Sequence, residues 1–258
     1  MTYTLRRTET VNGDQLRAML AQNPPRAAQA ILSAAKSHVV DAQALLGQIL
    51  LDGTGIQKDP ALALVWFQIA AKNGHVMAHN MLGRCKEHGW GCDIDWEQAA
   101  SHYQTAAEAG LDWGLYNLAN LLATGRGIPE DQHRALACYR KAAHMGHAKS
   151  MNLLGRYLED GRNCDLDLPA AHEWYKLSAE AGDFRGQFSH AAVLAQEGNI
   201  TRAVYWLEIA LKKGNINFLR VSGKSLGDAK DKRIRKFSER YNERLAQLVR
   251  LENNHPLS

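Results

Sequence analysis

This chain of 258 residues has no long apolar run: the longest, Ala61 to Phe67, is stopped by Gln68. That is far short of the roughly 20 residues a membrane-spanning helix needs. The opening MTYTLRRTETVNGDQLRAML contains no hydrophobic core segment of a secretory signal, so a cytoplasmic location is expected. Cysteine is scarce. Cys85, Cys92, Cys138 and Cys164 form no CxxC pair, which removes the usual zinc spacing. Neither charge sign dominates, since 31 Lys and Arg against 27 Asp and Glu leave +4, too little to imply a polyanionic partner. Aromatics are only 7% and prolines number 6, yet there are 21 glycines. With 45% hydrophobic and 22% charged residues, the composition is that of a globular protein able to bury a sizeable core. The glycines are the feature to explain.

They recur. Sliding the chain on itself by 36 residues keeps one register through four copies. Gly53 and Gly55 return as Gly89 and Gly91, Gly125 and Gly127, then Gly161 with Asn163. A small slot reads Gly47, Gly83, Ala119, Gly155, and a carboxylate slot reads Asp59, Asp95, Asp131, Asp167. An aromatic slot holds Phe67, Tyr103, Tyr139 and Tyr175, and Gly74, Gly110, Gly146 and Gly182 close the units. A fifth copy places Ala191 in the small slot, has a loop four residues shorter, and puts Leu207 in the aromatic slot. A half unit, Asn23 to Ala35, precedes the first full one.

Each unit reads as two helices. The first ends at the Gly-x-Gly, where glycine takes the left-handed conformation that stops a helix. The second begins at the shared Asp, whose carboxylate accepts from otherwise orphan backbone N–H groups. A single hairpin of this kind cannot bury its apolar face, whereas stacked neighbours share a continuous core. The fold class is therefore an all-α solenoid of 36-residue helix-turn-helix repeats. Three segments follow: an N-terminal degenerate helical unit over 1–41, with Val11 to Ala21 as its first helix, five repeats over 42–214, and a C-terminal basic amphipathic capping helix over 215–258.

The stretches LLGQILLDGTGIQKDPALALVWFQIAAKNG, MLGRCKEHGWGCDIDWEQAASHYQTAAEAG, NLANLLATGRGIPEDQHRALACYRKAAHMG and LLGRYLEDGRNCDLDLPAAHEWYKLSAEAG resemble the Sel-one-like repeat (SLR), a relative of the tetratricopeptide repeat. The resemblance covers residues 26–214. It implies a right-handed superhelix serving chiefly as a protein-interaction scaffold. It also implies that a disulfide is conceivable within a repeat, where only Cys85 and Cys92 are local. All four cysteines occupy apolar slots, however, and read as buried thiols.

Candidate chemistry reduces to architecture at most positions. The recurring Asp series reads as helix caps rather than catalytic acids. His75 and His79 are four apart, but His75 shares a repeat slot with His147 and no further ligand completes a zinc site. Gly223-Lys224-Ser225 lacks the earlier glycine of a phosphate loop, since residue 218 is Phe. No nucleophile–base constellation is present, so no catalytic residue, metal or cofactor is expected. By analogy with tetratricopeptide repeats, the first helices line a concave face, and three slots per helix point into it. The central units place Asn80, Arg84, Trp113, Tyr116, Asn120, Lys149, Asn152 and Arg156 there. Aromatics beside Arg suit an interface, so the expected partner is a protein or peptide.

Residues 220–250 carry ten Lys or Arg and four Asp or Glu, a local net of +6. Ile234, Phe237, Tyr241, Leu245 and Leu248 follow helical spacing. The leading reading is a helix that caps the last repeat. The alternative is a basic surface for nucleic acid or an anionic membrane face, though no nucleic-acid motif accompanies it. A third alternative, from the resemblance alone, is a hydrolase on cell-wall-like substrates.

Overall fold

The computed structural model describes residues 13–254, which are helical with no strand among them. Helices α1 (Gly13–Gln22) and α2 (Pro24–Lys36) lead in. Four hairpins follow: α3 (Val40–Asp52) with α4 (Pro60–Lys72), α5 (Val76–His88) with α6 (Trp96–Glu108), α7 (Asp112–Thr124) with α8 (Gln132–His144), and α9 (Ala148–Asp160) with α10 (Leu168–Glu180). Then come α11 (Phe184–Gln196) with α12 (Ile200–Lys213), and α13 (Ile216–Gly227) with α14 (Lys232–Asn254). Helical hairpins packed in sequence make this an all-α solenoid. Packing divides the chain into two compact units. One comprises the described residues up to Gly114 with Gly125–Pro129; the other comprises Leu115–Thr124 with those from Glu130 onward. No described helix is long and apolar enough to cross a membrane.

The caps form as the repeat predicts. Asp59, Asp95, Asp131 and Asp167 accept from the backbone N–H of Leu62, Gln98, Arg134 and Ala170 at 2.9, 2.9, 2.9 and 3.0 Å. The histidines after the closing glycines are caps too: Nδ1 of His75 accepts from Ala78 N–H at 3.1 Å, and that of His147 from Ser150 N–H at 3.3 Å. The small slot exists for the aromatic slot. A Cβ on Gly47, Gly83 or Gly155 would lie 2.7, 2.5 or 2.6 Å from the ring of Phe67, Tyr103 or Tyr175. The second loop glycine answers to close approach as well as to its positive φ. A Cβ on Gly91 (φ 74°) would sit 2.2 Å from the carbonyl oxygen of Pro60. Asn163 takes the equivalent left-handed conformation at φ 56°, which Asn tolerates better than most side chains.

All four cysteines are free thiols. Cys92 and Cys164, in one repeat slot, donate to the carbonyls of Cys85 and Tyr157 at 3.6 and 3.4 Å. Burial pushes the Cys85 thiol up to about 12, so it stays protonated.

The C-terminal segment is two helices where the sequence pattern suggests one. Asn215 caps α13 by accepting from Phe218 N–H at 2.9 Å, and Gly223 falls on the small slot once the short fifth loop is allowed for. Helix α14 buries Ile234, Phe237 and Tyr241, with Leu245 and Leu248 packed on the same core. The Tyr241 hydroxyl donates to Leu207 O at 3.0 Å, and Arg240 forms a bidentate ion pair with Glu208. Val11, the expected start of the first helix, lies outside the described residues.

Candidate functional site

In the first unit, the expected binding positions fall on α5 and at the start of α7. Asn80 is only 3% exposed, with its amide pointing at Met77 Sδ (3.8 Å), so it is a packing residue rather than a groove contact. Arg84 is half-buried. Its guanidinium lies 4.8 Å from the Trp90 ring centroid, a cation–π geometry, and also points at Met81 Sδ. Trp113 is 38% exposed, the larger share of apolar surface these positions offer in this unit.

In the second unit, α7, α9 and α11 carry the rest. The Tyr116 ring packs 4.8 Å from that of His147, with the Lys149 ammonium 5.7 Å from its centroid. Asn120 accepts from the Tyr139 hydroxyl at 2.7 Å. Asn152 departs from expectation as Asn80 does: it is 3% exposed and accepts from Ser189 Oγ at 3.0 Å. That bond ties α9 to α11, so burial follows from packing between successive first helices. Arg156 is exposed, with no ion pair among the described residues.

Arg156 stands at a cavity of about 240 Å³, walled also by Gln132, Tyr139, Tyr157 and Arg162. The cavity is laced with polar bonds. The Tyr157 hydroxyl donates to Gln132 Oε1 at 2.6 Å, and Arg162 pairs with Asp160 at 3.1 Å. Burial holds the Tyr139 and Tyr157 hydroxyls above the ordinary tyrosine range, which keeps them hydrogen-bond donors.

A second cavity, of about 840 Å³, lies among α11, α12, α13 and α14. Its walls are Phe188, Ala192, Ala195, Leu207 and Ile234, with Lys230 and Asp231 among the polar lining. Hydrogen bonds from Arg233 hold the Asp231 carboxyl down to about 2. The sequence reading missed this site. The signal was there in Leu207 replacing the slot's aromatic, together with Ala192 in a slot that is polar in the other repeats.

Comparison with known proteins agrees with the fold. A Sel1 repeat protein from Oxalobacter formigenes superposes with a TM-score of 0.76 at 23% identity, over 92% of this chain and 100% of that one. The protein c5321, a protective antigen of uropathogenic Escherichia coli with an SLR fold, gives 0.66 at 23% identity, over 91% of this chain and 52% of its own. Immunity protein Pa5087 of Pseudomonas aeruginosa gives 0.53 at 16% identity, over 81% of each chain. No curated protein matches. Proteins built from Sel1 repeats generally serve as non-catalytic scaffolds that bind other proteins. The Sel1 repeat model matches residues 40–75, 76–111, 114–147, 148–183 and 194–215, more than half of the sequence, and the chain belongs to the Sel1 repeat family.

Proposed function

We propose that this protein is a non-catalytic, cytoplasmic scaffold that binds a protein or peptide through slots on its repeats' first helices. The observation that carries the reading is Arg156: an exposed guanidinium beside a pocket of hydroxyl and amide groups. An Arg in that setting offers a planar fork to a carboxylate or a backbone carbonyl. Tyr116, Asn120 and Lys149 extend the surface in the same unit. Arg84 and Trp113 are the corresponding contacts of the first unit, while Asn80 and Asn152 support the helices from within. The free thiols suit a reducing compartment.

The other readings find less support. In α14, Arg240 is engaged by Glu208 and Arg233 by Asp231, and Arg235 donates to the carbonyls of Ala229 and Lys230. Those cations hold the cap together rather than face a polyanion. For a hydrolase, paired carboxylates with one pKa raised would be needed. The two cavities described above contribute a single Asp each, that of the larger one held low, and in a third beside His133 one of the two aspartates, Asp167, is engaged as the α10 cap. The test is affinity capture with Arg84→Glu and Arg156→Glu combined in one variant. Loss of the captured partner, with an unchanged melting temperature, is expected; retention at wild-type yield refutes the use of these slots.

A further inference from the structure

Two of the second-unit cavities are built on largely equivalent positions of the repeat. Moving two repeats along the chain, and allowing for the four residues missing from the fifth loop, carries six of the nine residues lining the smaller, inner cavity onto residues lining the larger, outer one. Asn120 becomes Ala192, Gln132 becomes Ile200, Tyr139 becomes Leu207, and Tyr157 becomes Ser225. Gln132, Tyr139 and Tyr157 line the inner space, and with Asn120 they form two side-chain hydrogen bonds, Tyr139 to Asn120 and Tyr157 to Gln132. Their replacements are smaller or apolar and cannot rebuild either bond. The space grows from about 240 to about 840 Å³, and its walls become largely hydrocarbon. Of the two cations, Arg162 corresponds to Lys230, which lines the outer cavity, and Arg156 to Lys224, the neighbour of the lining Ser225.

We propose that the outer cavity is an anchor pocket for a bulky apolar side chain of a partner segment flanked by carboxylates. This rests on the scaffold reading and supplies the partner's chemistry. The volume is in the range of about 300–1,000 Å³ typical of ligand sites, which are mostly apolar with a few polar groups. Leu207, Leu226 and Ile234 are buried, so an entering Leu or Phe side chain is desolvated against core residues. Charge complementarity selects the flanks. Residues 220–250 carry a net +6, and Lys224 and Lys230 are exposed with no ion pair among the described residues. Arg233, Arg235 and Arg240, by contrast, are satisfied within the chain.

The test is selection of a randomised peptide library, displayed on phage, on the full chain. The selected peptides are then synthesised and titrated by fluorescence anisotropy against the wild type, Ala195→Trp, which fills the cavity, and Lys224→Glu with Lys230→Glu. Ala192→Leu fills less and serves if Ala195→Trp melts early. The pocket predicts peptides sharing a Leu or aromatic residue between Asp or Glu, weakened at least about 10-fold by cavity filling and by charge reversal (about 1.4 kcal/mol). Arg84→Glu with Arg156→Glu weakens them less. Peptides without an apolar anchor, unchanged binding to the filled variants, or no enriched peptide while decanoate binds would each overturn it; the last outcome assigns the cavity to a free amphiphile. A partner lost on Arg84→Glu with Arg156→Glu yet kept by Ala195→Trp overturns the pocket alone. The reverse pattern overturns the first-helix slots alone.

Discussion

The inner and outer cavities of the second unit are built on largely equivalent helix positions, and they solve the same packing problem in opposite ways. Inside, tyrosines and amides close the space with hydrogen bonds, which is tolerable in a buried setting because each polar group finds a partner. Outside, Leu207 and two alanines leave the space open and mostly apolar. A repeat thus fixes where a cavity can occur, and the side chains in a few slots decide whether it is filled. Beside that vacancy, α14 packs on α12 and α13 and buries Ile234, Phe237 and Tyr241.

The contrast can be broken most severely by adding bulk. Gly155→Leu drives a side chain into Tyr175, whose ring is 2.6 Å from where a Cβ would sit, and should cost about 3 kcal/mol in urea unfolding. Ala195→Leu adds comparable volume at the outer cavity and should change stability by less than about 1 kcal/mol, because space is already there. If both cost the same, the outer cavity is not open in solution.

Removing a polar closure comes next. Tyr139→Phe deletes the donor to Asn120 and should lower stability by about 1.5 kcal/mol, while the Leu207→Ile exchange in the equivalent outer slot breaks no hydrogen bond and should cost under about 1 kcal/mol. The caps offer a finer comparison. Asp131→Ala removes a 2.9 Å cap and should cost about 1 kcal/mol. Asn199→Ala removes one of 3.4 Å and should cost a few tenths, on the order expected for a poorly formed bond. Thermal midpoints for the pair suffice to rank them.

The smallest effect separates the two regions by pH. His190 on α11 lies edge-on to Trp206 with both ring nitrogens lacking a hydrogen-bond partner among the described residues. Burial, then Arg202, holds its imidazole below the ordinary 6.5, with Lys176 acting the same way and Glu180 and Glu197 opposing. The unfolded chain therefore binds a proton that the folded chain resists. Stability is complete above about pH 6.5 and falls as pH drops through and below it. His190→Phe should flatten that slope in denaturation curves taken between about pH 7 and 5. His102, half-buried beside His79, shifts the same way in the first unit through partial burial, then His79 and Lys86, and should leave a residual slope.

Much of this was legible in the residues. The Asp caps, the small slot facing an aromatic slot, and the Gly-x-Gly terminators are local features, each decided by neighbours within one hairpin. The cysteines were legible in part: Cys85 is buried as expected, whereas Cys92, Cys138 and Cys164 are only half-buried. Asn80 and Asn152 were misplaced because helical spacing names a face without saying what the next first helix covers; Ser189 reaching Asn152 from α11 is a contact across 37 residues. The second C-terminal helix was missed because Asn215 and Gly223 repeat the signature after a shifted register and without the aromatic and Gly-x-Gly slots.

The sequence alone determined the period, the helix pairs and their caps, because backbone hydrogen bonding and glycine conformation act over a few residues. Only the tertiary structure decided which slots converge on one space. Asn120, Gln132, Tyr139 and Tyr157 lie on three helices, as do Ala192, Ile200, Leu207 and Ser225, and whether such a space is filled depends on side-chain volume and hydrogen-bond pairing across all of them at once.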